Sequence, residues 1–548
     1  MVALQGTGVS TGIASGELYY YRRNDNKTPR YIARDSEAEF ERWRIASEAT
    51  FNQIGEIAEK TRATAGDDAA ALFETHQMML EDLDYIDRIT VLIRSGHQNA
   101  ESAVEDAAKE FSAMFAAMDD DYMQARSVDI LDISRRVISN LAGKAETEET
   151  VLKKSVIIAA DDLTPSETVQ LDKRYIRGFI LSGGNANSHT AILARTLGIP
   201  AIINVEGELK SEYEGRKIIV DGSVGYIVID PDEATREYLE KKRSEERAVR
   251  SMLNQLKGKS DTTLDGKNIK VYANITDPTD VDAVITNDAR GIGLFRSEFL
   301  YLESSGFPSE NVQFEAYKYV AMRMAGARVI IRTMDIGADK KIDYFRLEDE
   351  ENPALGMRAL RICLTRQDIF KTQLRAIYRA SAYGKIAIMF PMVSSLWEVQ
   401  EAKRLCSVVA KELTKERIPY DENIEIGIMI ETPAAVMIAP ELAKEVKFFS
   451  IGTNDLTQYT LALDRQSVPG LERFYDSNHP AVMRMIKMVT QAAHSAGIWA
   501  GICGEIAADI SLTETFLRLG VDELSVSPRS ILPVRNAVRH TDLSVVKD

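Results

Sequence analysis

The sequence predicts a multidomain α/β protein: a phosphohistidine-type α/β domain with an inserted helical bundle, followed by a (β/α)8 barrel of the TIM type. Three observations predict it. At 548 residues the chain is too long for a single hydrophobic core. Short β-prone runs at the N-terminus and in residues 155–221 are separated by a long stretch poor in glycine and proline. Beyond residue 268, β-prone runs alternate with helical segments.

The N-terminal α/β domain is predicted from two separated pieces of the chain. Residues 7–16 are rich in turn-forming residues, and residues 18–21 are β-prone. Strand signals return at residues 155–159, 176–181 and 217–221. We therefore predict that residues 1–22 and 146–230 form one domain, with the intervening segment inserted after its first strands.

The inserted segment, residues 23–145, is predicted to be a helical subdomain. Its apolar residues recur at steps of three and four, as in Phe40 and Trp43 or Val128 and Leu131, and Leu72 and Met79 lie two helical turns apart. Residues 231–260 are dense in charge and contain few large apolar residues. That composition predicts a solvated linker helix before the third region.

Residues 261–548 are predicted to form the barrel. Seven β-prone runs lie at 269–272, 291–295, 329–332, 386–390, 424–430, 448–451 and 498–503. A weaker run near Leu355 would supply the eighth strand. Eight βα units in this length are typical of a (β/α)8 barrel.

Composition excludes several classes of protein. The formal net charge is −16 and there is no dense basic tract, which argues against nucleic acid or an anionic membrane as partner. Three widely spaced cysteines, without a CxxC pair, argue against a disulfide framework or structural zinc. With no apolar run long enough to span a bilayer, we expect a cytoplasmic protein without membrane insertion.

His189 is the histidine with the most unusual surroundings. Two glycines and a small polar turn precede it, and an apolar helical pattern follows it. Ser188 is the expected N-cap, which places His189 in the first turn of a helix. Because the N–H groups of a helix N-terminus favour a nearby anion, this imidazole is a candidate carrier of a phosphoryl group.

Polar or reactive side chains follow almost every predicted barrel strand. Active sites of such barrels form at the C-terminal strand ends, so we expect these residues to converge on one pocket. They are Arg296 and Glu298, Arg332, Asp335 and Lys340, Arg358, Pro391 and Met392, Glu431, Asn454 and Asp455, and Cys503 and Glu505. Taken singly, an arginine here more often makes a salt bridge and a carboxylate more often caps a helix.

The chemistry of this set points to a phosphorylated substrate. The planar forks of Arg296, Arg332 and Arg465 suit phosphate or carboxylate oxygens. Glu431 and Asp455 offer hard oxygen ligands for Mg²⁺. The substrate set is completed by the amide of Asn454 and by two further cations, Lys340 and Arg358. Cys503, in a glycine-flanked turn, is placed where a proton donor could reach a substrate carbon, although a buried cysteine is as often inert.

Several long motifs resemble the phosphoenolpyruvate-utilising enzymes, and among them the Enzyme I family of the bacterial sugar phosphotransferase system. The motifs are Gly291-Ile-Gly-Leu-Phe-Arg-Ser-Glu-Phe-Leu-Tyr301, Arg332-Thr-Met-Asp-Ile-Gly-Ala-Asp-Lys340, Asn352-Pro-Ala-Leu-Gly-Met-Arg358, Gly427-Ile-Met-Ile-Glu-Thr-Pro433, Ser450-Ile-Gly-Thr-Asn-Asp-Leu-Thr-Gln-Tyr459 and Gly501-Ile-Cys-Gly-Glu505. The resemblance covers essentially the whole chain, and residues 72–82 and 120–126 are similar to that family's carrier-binding subdomain.

The resemblance implies a two-step reaction. His189 would take the phosphoryl group from phosphoenolpyruvate and pass it to a histidine of the carrier protein HPr, while Cys503 would protonate the departing enolate. It also implies Mg²⁺, with Mn²⁺ as an alternative, and a homodimer formed through the barrel. The His189 domain would have to swing between two sites, with residues 232–259 as the hinge region.

One loop departs from the family pattern, and two rival functions stay open. The usual Gly-Gly-x-Thr-Ser-His loop is one residue longer here, and Asn187 stands in place of the threonine. A phosphoenolpyruvate synthase or pyruvate phosphate dikinase would share the histidine domain and the barrel, but would need a nucleotide-binding domain of which no Gly-rich loop is seen. A non-catalytic regulatory paralogue would not require the convergent set.

Overall fold

The computed structural model describes most of the chain. The described residues are 1–21, 28–65, 67–117, 121–143, 152, 154–161, 163–164, 167–168, 171–172, 174–184, 188–206, 209–302, 304, 306–337, 342–345, 350–464 and 472–545. They divide into two compact units, Met1–Val249 and Arg250–Asp548. None of the helices among these residues is long and apolar enough to cross a membrane.

The first unit contains a closed seven-stranded sheet with strands running in both directions. Its order is β1-β5-β4-β3-β2-β6-β7, with parallel pairs from β2 to β5 and antiparallel pairs elsewhere. Strands from both predicted pieces of the chain therefore share one sheet. The strands are β1 Val2–Ser10, β2 Ile13–Tyr20, β3 Val156–Ala160, β4 Ile176–Leu181, β5 Ala201–Glu206, β6 Lys217–Asp221 and β7 Tyr226–Ile229.

Among the described residues, five helices lie between β2 and β3. Their apolar stripes meet in a core of their own, which includes Trp43, Ile54, Phe73, Ile89 and Val104. This is the inserted bundle that the three- and four-residue spacing predicts. The helices are α1 Ser36–Ala65, α2 Asp67–Leu80, α3 Leu83–Arg94, α4 Ala100–Ala116 and α5 Asp121–Leu141.

Two further helices precede the barrel in the part of the chain that the structure describes. Helix α6, His189–Leu197, connects β4 to β5. Helix α7, Glu233–Asn254, follows β7 and exposes most of its residues, with Leu239 buried. The charge-dense segment thus forms the mostly solvated helix that its composition indicates.

The second unit is a closed barrel of eight parallel strands, so the predicted fold class is confirmed. The strands follow one another around the barrel in chain order. They are β8 Lys270–Ile275, β9 Gly291–Arg296, β10 Arg328–Arg332, β11 Ile386–Phe390, β12 Glu425–Ile430, β13 Phe448–Ile451, β14 Trp499–Ile502 and β15 Glu523–Val526.

Helices surround the barrel and connect successive strands. They are α8 Val281–Thr286, α9 Phe299–Leu302, α10 Glu310–Arg323, α11 Leu360–Thr365, α12 Gln367–Ser381, α13 Leu396–Glu416, α14 Pro433–Met437, α15 Ala439–Leu442, α16 Thr453–Leu461, α17 Pro480–Ser495, α18 Thr513–Arg518 and α19 Ile531–His540. Short 3₁₀ turns lie at Ser211–Tyr213 in the first unit and, in the second, at Pro278–Asp280, Asp343–Phe345, Pro353–Leu355, Glu472–Phe474, Glu505–Ala508 and Pro528–Ser530.

The prediction of a strand near Leu355 is wrong. Leu355 ends a 3₁₀ turn, and the eighth strand is β15, which pairs with β14 and β8. Sequence reading missed β15 because it is not a continuous apolar run. It carries Glu523 and Ser525, and both are buried.

Side chains of alternating barrel residues form two separate cores. Ile292, Phe295, Val329 and Ile331 belong to the large cluster between the strands and the helices. The other face of the strands packs into a small cluster inside the barrel: Leu294, Ile330, Ala387, Met389, Met429, Phe448 and Cys503. Cys503 therefore belongs to the barrel interior.

Candidate active site at the carboxyl ends of the barrel strands

A cavity of about 720 Å³ lies at the carboxyl ends of the barrel strands. The parallel strands deliver their last residues to the same end of the barrel, so polar side chains from distant parts of the chain meet here. Seven predicted site residues line it: Arg296, Arg332, Arg358, Glu431, Asn454, Asp455 and Cys503. The predicted convergence is thus found for these residues, and their individual roles stay predictions.

Two of the arginines are held in place by buried carboxylates. Arg332, the last residue of β10, lies 3.1 Å from Glu298 and 3.0 Å from Asp335. Arg358 contacts the other oxygen of Asp335 at 3.0 Å. Their carboxylate neighbours raise the pKa of both guanidinium groups against the effect of burial, so both stay charged.

Arg332 and Arg358 still have hydrogen-bonding capacity. The Nε–H of each is buried and has no hydrogen-bond partner among the described residues. An unsatisfied buried donor costs free energy, and an anionic ligand would remove that cost. The two arginines are therefore preorganised donors for phosphate or carboxylate oxygens.

Gln373 is a positioning residue that the sequence analysis missed. From helix α12 its Nε2 donates to the Ser297 hydroxyl at 2.9 Å, and its Oε1 accepts from the Met334 N–H at 2.9 Å. Ser297 in turn donates to the carbonyl of Arg332 at 2.8 Å. Gln373 therefore ties together the segments that carry Arg296 and Arg332. No local motif marks a glutamine within an amphipathic outer helix as part of a site.

Tyr459 is a second residue to which the sequence analysis gave no role. Its hydroxyl accepts a hydrogen bond from Arg358 at 3.2 Å and donates to the carbonyl of Ala354. Tyr459 thus orients Arg358 against the segment before it. The signal for it was its place at the end of the motif that also carries Asn454 and Asp455.

Glu431 is buried directly after β12, with one oxygen satisfied and one free. Its Oε1 accepts from the N–H of Met392 at 2.6 Å, and Met392 adopts a positive φ of 54° to aim that donor. Its Oε2 is buried and lacks a partner among the described residues. Gly452 leaves room for this oxygen, since a Cβ there would lie 2.6 Å from it.

Glu431 and Asp455 together fit a divalent cation. Burial, then the charges of Asp455 and Asp335, raise the pKa of Glu431, while Arg332 lowers it. A cation between the two carboxylates would relieve that repulsion and satisfy the free Oε2. Within the described residues no group of three or more ligating side chains is found. Two carboxylates with substrate oxygens and water are nevertheless the ligand set that Mg²⁺ commonly takes.

The Cys503 thiol is held in its protonated form. Burial is the main reason that its pKa is raised to about 12, with Glu523 and Glu431 adding to the effect. The sulfur lies 3.7 Å from the carbonyl of Ile451. A thiol with this pKa is a poor nucleophile at neutral pH, but it carries a proton that it can give to a carbanion at the cavity wall.

The side-chain amide of Asn454 has less free hydrogen-bonding capacity for a substrate than the sequence suggests. Its Nδ2 donates to Glu505 at 2.9 Å, and its Oδ1 accepts from the N–H of Glu505 at 3.1 Å. Because an amide nitrogen carries two hydrogens, one donor remains for a ligand.

The described part of the cavity wall carries more acidic than basic side chains. Three arginines line it, together with six carboxylates: Glu298, Asp335, Glu351, Glu431, Asp455 and Asp464. The sequence analysis names four of these acids, Glu298, Asp335, Glu431 and Asp455, but the sequence does not show which of them pair with the arginines. A highly charged anion would therefore need a metal ion as well as the arginines.

His189 begins helix α6 in the other unit, as predicted. Ser188 is the N-cap, and its hydroxyl accepts from the Ala191 N–H at 3.4 Å. The helix ends at Gly198, whose φ of 64° suits a left-handed C-cap. The side chain of His189, the predicted Asn187, and the predicted substrate residues Lys340 and Arg465 lie outside the described residues.

Three family profiles match the chain in order. They are the phosphoenolpyruvate-utilising enzyme N-terminal domain at residues 5–126, the mobile domain at 152–225, and the phosphoenolpyruvate-binding domain at 250–543. The last alone spans more than half of the chain. The barrel with its cavity and the helix carrying His189 thus lie in a phosphoenolpyruvate-utilising enzyme.

Curated relatives narrow this class. The phosphoenolpyruvate-protein phosphotransferase of Priestia megaterium is 40% identical over 98% of this chain and 93% of its own. That of Staphylococcus aureus strain MRSA252 is 40% identical over 98% and 94%. That of Listeria innocua is 38% identical over 99% and 94%. The chain belongs to the phosphoenolpyruvate-protein phosphotransferase family.

Proposed function

We propose that this chain transfers the phosphoryl group of phosphoenolpyruvate to His189 and then to a histidine of HPr, releasing pyruvate as the first step of sugar phosphotransfer. The observation that carries the proposal is the cavity. It combines buried arginine donors without partners, a carboxylate oxygen without a partner and a protonated thiol. Release of an enolate from a phosphorylated acid uses all three, as anion donors, a metal ligand and a proton source.

Substrate positioning falls to the arginines. Arg332 and Arg358, fixed by Glu298 and Asp335, offer N–H groups to the phosphate and carboxylate of phosphoenolpyruvate. Arg296, Lys340 and Arg465 are proposed to complete the set, and Asn454 to orient the substrate. Phosphoryl transfer depends mainly on such positioning and on neutralised charge.

Glu431 and Asp455 are proposed to hold Mg²⁺, with Mn²⁺ as a possible substitute. When bound, the cation neutralises phosphate charge that the acid-rich wall would otherwise repel. The free Oε2 of Glu431 supports this assignment.

Cys503 is proposed to protonate the enolate. The bond between phosphorus and the substrate oxygen breaks as the bond to the imidazole of His189 forms. The thiol then gives its proton to the methylene carbon, which yields pyruvate. The raised pKa of the thiol supports this role, because a proton must be present when the enolate forms.

The proposed setting is the bacterial cytoplasm, and the proposed assembly is a homodimer through the barrel. Three free cysteines suit a reducing compartment. A groove on the barrel surface exposes Met357 and Trp397, two large apolar side chains of the kind found in subunit interfaces. Sedimentation of the wild type and of Trp397→Glu measures whether this groove holds two copies together.

Radioactive phosphoenolpyruvate tests the function. With Mg²⁺ the chain should take up an acid-labile, base-stable label, and purified HPr should remove it. Label that forms but stays on the chain in the presence of HPr would refute the carrier step. No label at all would favour a regulatory paralogue, and consumption of pyruvate that depends on ATP would favour a synthase or dikinase.

A further inference from the structure

Two buried polar residues lie beneath Cys503 inside the barrel. Glu523 on β15 and Ser450 on β13 are each 1% exposed. Neither is needed to position the arginines or the cation. Buried polar groups that serve no structural bond are costly, so their presence beneath a proposed proton donor calls for a role.

The register of the strands places Ser450, Glu523 and Cys503 on the inner face of the barrel. Ser450 pairs with Gly501, and Gly501 pairs with Glu523, so the three occupy one row across β13, β14 and β15. Residues that pair in this way face the same side of a sheet. Cys503 follows Gly501 by two residues and therefore faces the barrel interior, as Gly501 does.

Glycines make the space that the carboxyl group of Glu523 fills. A Cβ on Gly501 would lie 1.8 Å from its Oε2, and a Cβ on Gly293 would lie 2.2 Å from its Oε1. Gly501 thus lets the carboxyl group of Glu523 extend across β14, on the side of the strand where Ser450 lies. Any other residue at position 501 would put its Cβ where this carboxyl group lies.

Glu523 is not held as the partner of a base. Its Oε1 has no hydrogen-bond partner, and among the described residues no ion pair involves it. Burial raises its pKa to about 8, with Lys270, Ser525 and Arg328 opposing the effect. At neutral pH the carboxyl group of Glu523 therefore carries a proton. Lys270 and Arg328 are near enough to stabilise the carboxylate that remains after this proton departs.

Ser450 lies next to the thiol. Its hydroxyl is close enough to lower the pKa of Cys503, and no oxygen or nitrogen partner occupies it among the described residues. A hydroxyl can accept one proton while it donates another, which makes it a suitable bridge between two buried groups.

We propose that Glu523 and Ser450 form a proton relay that restores the Cys503 thiol after each turnover. The Cys503 thiolate left by protonation of the enolate takes the hydroxyl proton of Ser450, which takes the carboxyl proton of Glu523. An S–H bond forms, the O–H bond of Glu523 breaks, and the carboxylate recovers its proton from water after pyruvate leaves. The thiol is much the weaker acid, so the transfer runs towards sulfur. Both residues act through Cys503.

The relay rests on the proposed function, and kinetic measurements distinguish a failure of the relay from a failure of that function. Isotope exchange between labelled pyruvate and phosphoenolpyruvate uses the same Cys503 proton in both directions and does not need the relay. Net turnover with excess HPr needs a new proton in every cycle. A defect in packing would slow both reactions.

The experiment compares Glu523→Gln and Ser450→Ala with the wild type. Both variants should keep the first-turnover rate, the KM for phosphoenolpyruvate and the exchange rate within about twofold, while net kcat falls at least tenfold. Glu523→Asp, which keeps an acid, should recover part of the loss. Glu416→Gln, on the outer helix α13 where Glu416 pairs with Arg375, is the control and should behave as wild type.

Two outcomes would overturn the relay. Wild-type net turnover in both variants would show that water restores the thiol unaided. Equal losses in first turnover, exchange and net turnover would show that the two residues only support the packing. If the wild type itself fails to label or exchange, the proposed function fails instead.

Discussion

The two closed sheets of this molecule position their candidate functional residues in different ways. In the C-terminal barrel all eight strands are parallel, so every strand ends at the same rim and side chains from many strands share one cavity. In the N-terminal sheet the strands run in both directions, so their ends are divided between two rims. Its one candidate nucleophile, His189, instead begins a connecting helix.

The two sites are therefore sensitive to different kinds of substitution. The barrel site depends on pairs of charges that fix one another, such as Arg332 with Glu298 and Asp335. The His189 site depends on a backbone arrangement, a capped helix start after a glycine-containing loop. Substitutions in the barrel should therefore affect binding and charge, whereas those near His189 should affect local helix stability.

The largest effect after loss of His189 itself is expected from Arg332→Lys. Lysine keeps the charge but loses the planar fork, so labelling by phosphoenolpyruvate should fall about 10²-fold. Arg375→Lys is the control, since Arg375 also bridges carboxylates, namely Glu310, Glu412 and Glu416, but lies away from the cavity. Quenched-flow labelling measures both. Equal losses in the two variants would argue against a special role for Arg332.

A second test removes a proposed metal ligand. In a His189→Ala background, phosphoenolpyruvate binds without transfer, and Mg²⁺ at 100 times its Kd should stabilise the protein by about 2.7 kcal/mol. Glu431→Gln should abolish most of that gain in thermal unfolding. Glu425→Gln, at the opposite end of the same strand, should keep it. If Glu431→Gln kept the full gain, the cation would have to bind elsewhere.

The smallest effect concerns the helix start. Ser188→Ala removes the cap of α6 and should lower the unfolding free energy of the first unit by about 1 kcal/mol, with a few-fold slower labelling. Ser309→Ala removes the equivalent cap of α10 in the barrel. It should cost a similar free energy in urea and leave labelling unchanged. Slower labelling in Ser309→Ala but not in Ser188→Ala would contradict the expected role of the α6 cap in labelling.

Much of the barrel was predictable because its strands are apolar runs followed by polar groups. Seven strands and the convergence of Arg296, Arg332, Glu431 and Cys503 follow from that pattern. The eighth strand did not, because a strand whose inward residues are Glu523 and Ser525 resembles a surface segment. Periodicity detects burial only where the buried residues are apolar.

The parts of the site that sequence reading missed come from outside the strand ends or depend on pairing. Gln373 reaches in from a helix, and nothing in its neighbours distinguishes it from a surface residue. The sequence places Glu298 and Asp335 near the strand ends, but it does not show that they pair with Arg332 and Arg358. Pairing is a property of three-dimensional contacts, which local spacing does not specify.

The most direct test is to identify the residue that carries the phosphoryl group. The chain is incubated with radioactive phosphoenolpyruvate and Mg²⁺, digested under alkaline conditions and mapped by mass spectrometry, beside His189→Ala and the control His540→Ala. The account predicts about one label per chain on His189, none in His189→Ala and full labelling in His540→Ala. Label on another residue, or full labelling of His189→Ala, would contradict it.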